Sequence, residues 1–323
     1  MFSGFTARDF DAYAQKKWQS NAFTRERLEV RQKLVAIGRS IAGKLIGSDG
    51  SPLAFETSVE YPALWNHKQV QSQNLYFFRN EQARRELDAI LNRQKPIAAM
   101  IEDPSPHKNH PFLGIAVLED GVRLGLELHP EADVDRRSLE KKCQDYFEKE
   151  RFLSLLCELG SEHRMGTFVS HAALPGQPLP KIDLARLVPC SELEMTKLDA
   201  LLTQLANEKC ALFVGQHFLR TDRRVESVDF FPIVEESMER LLPLYRFLAW
   251  SRDNDFLSMR ETLRQEKEAK RQKYLAKNDR VRIVRGMFSG KMGVVQDLDA
   301  KGTLKVLVGK MTVKVDSEDV VRA

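Results

Sequence analysis

Apolar residues recur at helical spacing between Thr24 and Leu45. Leu28, Leu34, Ile37, Ile41 and Leu45 fall on one side of a 3.6-residue repeat, which predicts a long amphipathic helix. Thr6-Ala-Arg-Asp9 reads as an earlier helix start, with Asp9 near the positive end of the dipole. Gly47 to Pro52 is a turn cluster. Strands are expected at Phe55–Val59, Asn74–Phe78 and Ile97–Ile101, with a helix near Glu81–Leu91. The pattern switches to period two after Asp120-Gly121, a two-residue turn signal. Val122, Leu124, Leu126 and Leu128 alternate there with Arg123, Gly125 and Glu127, so one face is buried and the other meets water or another element.

Beyond that hairpin, a single helix is predicted from Arg136 to Leu159, ended by Gly160. A strand follows at Met165–Val169, then a proline-rich loop over Leu174–Pro180. Ser191-Glu-Leu-Glu194 has the spacing of a capping box, which predicts a helix to about Asn207. Ala211–Leu219 reads as a strand. Pro232 suits the first turn of a further helix, with Pro243 as a kink. Met259–Lys277 is a polar helix in which Glu261…Arg264, Glu266…Lys270 and Glu268…Arg271 lie three or four residues apart.

From Asp279 the sequence runs DRVRIVRGMFSGKMGVVQDLDAKGTLKVLVGKMTVKVDSEDVV. Strand-like runs VRIV, GVVQDL, LKVLVG and MTVKV alternate with short turns, predicting an antiparallel sheet. Val281, Ile283, Val294, Leu304, Val306 and Val308 are its expected inward face. Gly286, Gly290 and Gly293 are expected to let the backbone turn tightly. This spacing resembles the KOW motif, the signature of a small SH3-like barrel found in NusG-type elongation factors and some ribosomal proteins. The resemblance implies a β-barrel here and RNA, the ribosome or RNA polymerase as partner. The start FTARDFDAYAQKKW, the helix reaching Ile37-Gly38 and the hairpin after Asn109-His-Pro resemble the YktB-type family, which carries no activity to transfer.

The chain as a whole is thus expected to be α+β. Residues 1–255 form a large domain of mixed helices and antiparallel sheet, 256–277 a charged helical linker and 278–323 an SH3-like β-barrel. Charge sharpens that division. The 323 residues carry a net +4, yet residues 256–277 hold seven Lys or Arg against three acids and 278–323 nine against six, leaving the remainder net negative. Positive charge concentrated at one end is the footprint of a phosphate-binding surface. No run approaches the length of a membrane span, and the N-terminus has no basic start and apolar core of a secretion signal. Four scattered cysteines without a CxxC pair suit a reducing cytoplasm and argue against a disulfide framework or a zinc site.

Candidate chemistry falls in three places. In the C-terminal turn, Arg285 and Lys291 are placed to meet phosphates and Phe288 to stack on a base or to plug the barrel end. On the linker, Arg264, Lys267, Lys270, Arg271 and Lys273 either grip RNA or form a solvated spacer, since acids are interspersed. In the large domain, Trp65, Asn66 and His67 with Arg79 make a candidate pocket, or else an ordinary loop anchored by its aromatics. His107 and His110, with Glu102 and His129, lack the helical frame that would aim them at one metal. No GxSxG, HExxH, P-loop or GxGxxG is present. The expectation is a non-catalytic binding protein of the gene-expression machinery without metal or cofactor. The alternative is a ligand-binding or enzymatic domain carrying a recruitment barrel.

Overall fold

Seven antiparallel strands organise the first of two compact units, Met1–Leu257 and Ser258–Ala323. The computed structural model describes residues 2–85, 87, 106–171, 187–206, 210–257, 277–286, 288–298, 303–316 and 319–322. The strands are β1 Ala54–Thr57, β2 Gln73–Phe78, β3 Pro111–Val117, β4 Gly121–Leu128, β5 Gly166–His171, β6 Val188–Pro189 and β7 Cys210–Leu219. They lie side by side in the order β1-β2-β3-β4-β7-β5-β6. The mixed helices and antiparallel sheet expected of this region are present. The expected strand at Ile97–Ile101, the 174–180 loop and the 259–277 helix lie outside the described residues.

The period-two pattern decides which side of the sheet holds the core. Leu113, Ile115 and Val117 pair in register with Leu126, Leu124 and Val122, and β7 adds Val214 and Leu212 on the same side. These residues join one apolar cluster with Val30, Leu34, Ile37 and Ile41 of the Thr24–Ile41 helix and Val234, Met238, Leu241 and Tyr245 of the Phe230–Leu248 helix. Burying an aliphatic side chain of this size is worth about 1.5–3 kcal/mol, so a layer of this many residues is a large part of the driving force. The first residues add Phe2, Phe5 and Phe10 to it. The short Ala7–Asp11 helix is capped as its sequence suggested, the Thr6 amide donating to Asp9 Oδ2 at 2.6 Å.

Three helix boundaries differ from the periodicity. The segment expected to be one helix is two, Asp133–Lys142 and Tyr146–His163, with Asp145 accepting from the Glu148 amide at 3.0 Å as a new N-cap. The second helix runs through Gly160 and ends at Arg164, which takes the left-handed conformation (φ 52°). At Ser191-Glu194 the first residues form a 3₁₀ turn, Cys190–Glu192, and the helix proper is Met195–Leu205 with Glu194 as N-cap.

The other side of the large sheet is also covered. Phe78, Phe112, Ala116, Ala211 and Phe213 are buried there, apart from the main cluster. Gly114, Gly125, Gly215 and Gly166 stand in one row across β3, β4, β7 and β5. A Cβ on Gly125 would overlap the Phe213 ring, and one on Gly215 would overlap the Leu124 carbonyl and then the edge of the same ring. Phe112 lies against Gly114 and Leu187 against Gly166. Aromatic rings laid over sheet glycines recover packing that the missing side chains forgo.

The second unit is a five-stranded antiparallel sheet in the order β11-β10-β9-β8-β12. Its strands are β8 Arg280–Ile283, β9 Met292–Leu298, β10 Thr303–Val308, β11 Met311–Asp316 and β12 Val320–Arg322, the last missed in the sequence pattern. Among the described residues no ladder joins β11 to β12. The core comprises Val281, Ile283, Val295, Leu304, Val306, Val313 and Val320. Val295 takes the inward place expected of Val294, because the register between β9 and β10 shifts between Lys305 and Val306. No helix among the described residues is long and apolar enough to cross a membrane.

Candidate nucleic-acid interface

Strand β8 alternates Arg280, Val281, Arg282 and Ile283, so its valine and isoleucine fill the core while both arginines face out. The chain then turns through 284–291 before entering β9. Gly286 (φ 86°) and Gly290 (φ 83°) both take the left-handed conformation expected of them. The turn is tied down by the Gly290 amide on the Ile283 carbonyl at 2.7 Å and by Ser289 Oγ on the Val284 carbonyl at 3.0 Å. Gly293 serves differently. It lies within β9, where a Cβ would overlap Val306 across the strand pair.

Arg285 and Lys291 are exposed on this turn, whereas Phe288 is half-buried and packs against the module's apolar core. On the outer face, Val321, Arg282 and Met292 stand in one row across β12, β8 and β9. Arg280 stands beside Val294 in the next row. Val321 and Met292 are among the exposed large apolar residues. Sequence reasoning passed over Arg280 and Arg282, although the Arg-Val-Arg-Ile alternation was enough to place them.

The charges are not evenly matched. Arg322 holds Asp279 at 2.5 Å and Lys305 holds Asp297 at 3.2 Å. Among the described residues Arg280, Arg282, Arg285 and Lys291 make no ion pair. The result is four unneutralised cations around one strand and its turn, interleaved with exposed Met292 and Val321. Such a surface suits a flexible polyanion with sugar and base surface between its charges. The linker cations Arg264, Lys267, Lys270, Arg271 and Lys273 lie outside the described residues.

In the first unit, Asn66 accepts from the Ala63 amide at 2.7 Å and donates to the Tyr61 carbonyl at 2.8 Å. Its amide is thus spent on holding the loop. His67 is exposed in the left-handed conformation (φ 54°), and the Trp65 side chain lies outside the described residues. Arg79 belongs to another constellation. Its guanidinium donates through Nη1 to Asp135 Oδ2 at 2.9 Å, through Nη2 to Asp135 Oδ1, and to the Trp250 carbonyl at 2.8 Å. His110 Nδ1 is 2.9 Å from Nη1, and the Trp250 amide donates to Asp135 Oδ1 at 2.6 Å. Burial opposes the guanidinium's charge, but Asp135 outweighs it and raises the arginine's pKa. No hydrogen bond or ion pair links Arg79 with Asn66 or His67 among the described residues.

His107 stacks on Tyr76, ring centroids 3.7 Å apart and 11° from parallel. No group of three or more metal-ligating side chains occurs among the described residues. No family model matches the chain, and no curated protein is similar to it.

Proposed function

We propose that this protein is a non-catalytic binding protein of the gene-expression machinery, and that its C-terminal unit docks on RNA. The five strands β8–β12 close, in this reading, into the small KOW-type SH3-like barrel, with the Arg285–Met292 turn at its binding end. The observation that carries the reading is the set of four outward cations, Arg280, Arg282, Arg285 and Lys291, left without carboxylate partners among the described residues while Asp279 and Asp297 are taken by Arg322 and Lys305. A solvated surface kept only for solubility gains nothing from segregating its charge in this way. The RNA is that of the ribosome or of a transcript emerging from RNA polymerase.

The test is binding of the full chain to a fluorescent single-stranded RNA across a salt series, beside a variant carrying R280Q, R282Q, R285Q and K291Q. Wild-type affinity should fall steeply with salt. The quadruple variant should flatten the logarithmic slope by about 3, from a release of roughly 0.7 counterion per phosphate contact on single strands. Co-sedimentation from cell extract with and without nuclease then separates ribosome from polymerase. Absence of RNA binding at low salt, or an unchanged slope in the variant, removes the proposal.

A further inference from the structure

The outer face of the second sheet carries apolar side chains as well as cations. Val321, Arg282 and Met292 form one row across β12, β8 and β9. The next row runs Arg280, Val294, Leu307 and Thr312 across β8, β9, β10 and β11. Val284 follows on the same side as Arg282, its amide donating to the Asp319 carbonyl at 2.8 Å. Val284, Met292 and Val321 are exposed, while Val294 and Leu307 are half-buried. The core is filled by a separate set, Val281, Ile283, Val295 and Val306 among them, so the inner face does not need these side chains. Beyond Leu307 the outer face turns polar, where Thr312 Oγ1 donates to Gln296 Oε1 at 3.0 Å and Lys305 holds Asp297.

Single exposed aliphatic residues are ordinary. Here they form one band from Val321 to Leu307, crossing β12, β8, β9 and β10, which at the spacing of neighbouring strands is roughly 14 Å. Arg280 and Arg282 stand within that band without an ion pair among the described residues. A band of this composition fits a ligand that carries negative charge and flat apolar surface side by side. An RNA duplex does not offer both, because its bases are stacked inside and it presents phosphates and hydroxyls. An unpaired strand does: its base faces pack on apolar side chains and guanidinium planes while its phosphates meet cations. A protein partner would have to bury a carboxylate against each arginine within an apolar contact, where such pairs return little more than their desolvation costs.

We propose that this face selects unpaired over duplex RNA. Bases lie on Met292, Val294, Leu307 and Val321 beside the Arg280 and Arg282 guanidiniums, and phosphates meet Arg285 and Lys291. This selectivity rests on the RNA docking proposed above and adds to it a source of affinity that salt does not screen.

Three fluorescent ligands of equal length, titrated into the full chain by anisotropy, test it. They are a single-stranded RNA, its duplex, and the same strand made abasic, which keeps phosphates and riboses but no bases. At physiological salt the single strand should bind at least tenfold tighter than either of the others. An M292Q and V321Q double variant should weaken single-strand binding at least fivefold with the salt slope unchanged, since no phosphate contact is lost. Should that variant fail to melt cooperatively, the three ligands on the wild type decide alone. Duplex or abasic RNA bound as tightly as the single strand, or a folded variant of undiminished affinity, overturns the selectivity and leaves phosphate docking standing. Absence of binding to all three at low salt removes the docking and the selectivity together, and leaves the band to a protein partner.

Discussion

Arg79 shows how a residue's role depends on partners far along the chain. In the sequence it stands near Trp65 and His67, which suggested a pocket. Its actual partners, Asp135 and Trp250, lie 56 and 171 positions away. No local spacing encodes such a contact, whereas the Asn66 loop bonds, three to five residues long, were within reach of local reasoning. Removing the guanidinium leaves a buried carboxylate uncompensated. Arg79→Ala should therefore destabilise the first unit by about 3–5 kcal/mol in denaturant unfolding. Lys142 behaves differently. It is buried, donates to the Phe247 carbonyl, and lies over the Phe247 and Phe256 rings at 4.8 and 5.4 Å. Burial lowers its pKa to about 8. Below that pH both folded and unfolded chains hold the proton. Between about 8 and the unfolded value near 10.4, only the unfolded chain does, so stability rises with pH across this window. Relative to Lys142→Met, the wild type should gain up to about 1.4 kcal/mol per pH unit there. The comparison cancels Cys190, whose thiol burial pushes up to about 12, and at pH 8 to 10 Cys143, pushed up to about 11 by burial despite Lys149 and Lys142, stays a thiol in the folded chain. A flat difference between pH 8 and 10 would contradict the assignment.

Among the elements, strands were the more legible. The Val122–Leu128 alternation placed β4 and its buried face correctly, because a period of two leaves little freedom once one side is apolar. Helix ends were less so. Gly160 reads as a terminator, but it is needed for close approach: a Cβ there would overlap the Ser191 amide and Cys190. The crossing backbone comes from thirty residues downstream and leaves no local mark. Gly160→Ala should consequently cost more than the gain in helix propensity, which is about 1 kcal/mol. A lowered midpoint by circular dichroism is the expected result, and a raised one would refute the packing account. The break at Cys143–Asp145 was hidden because apolar periodicity continues across it. The misassigned Val294 has the same kind of cause, a bulge whose register is set by the partner strand.

At the scale of the whole molecule, the division into two units carries a functional expectation. The four outward cations belong entirely to the second unit. The R280Q, R282Q, R285Q and K291Q variant should therefore lose RNA affinity while the effect of Arg79→Ala on the first unit's unfolding stays the same in its background. A changed effect would mean that the substitutions act beyond the binding surface. The glycine row, finally, binds the histories of several positions together. Because the Phe213 ring is what a Cβ at position 125 would meet first, a lineage that enlarges position 125 must shrink position 213, whereas position 215 is closed by the Leu124 carbonyl whatever residue 213 is. Gly125→Ala should thus be rescued in part by Phe213→Leu in a double-mutant cycle, the remainder being the clash with the Val214 carbonyl, and diverging relatives should exchange positions 125 and 213 as a pair rather than singly.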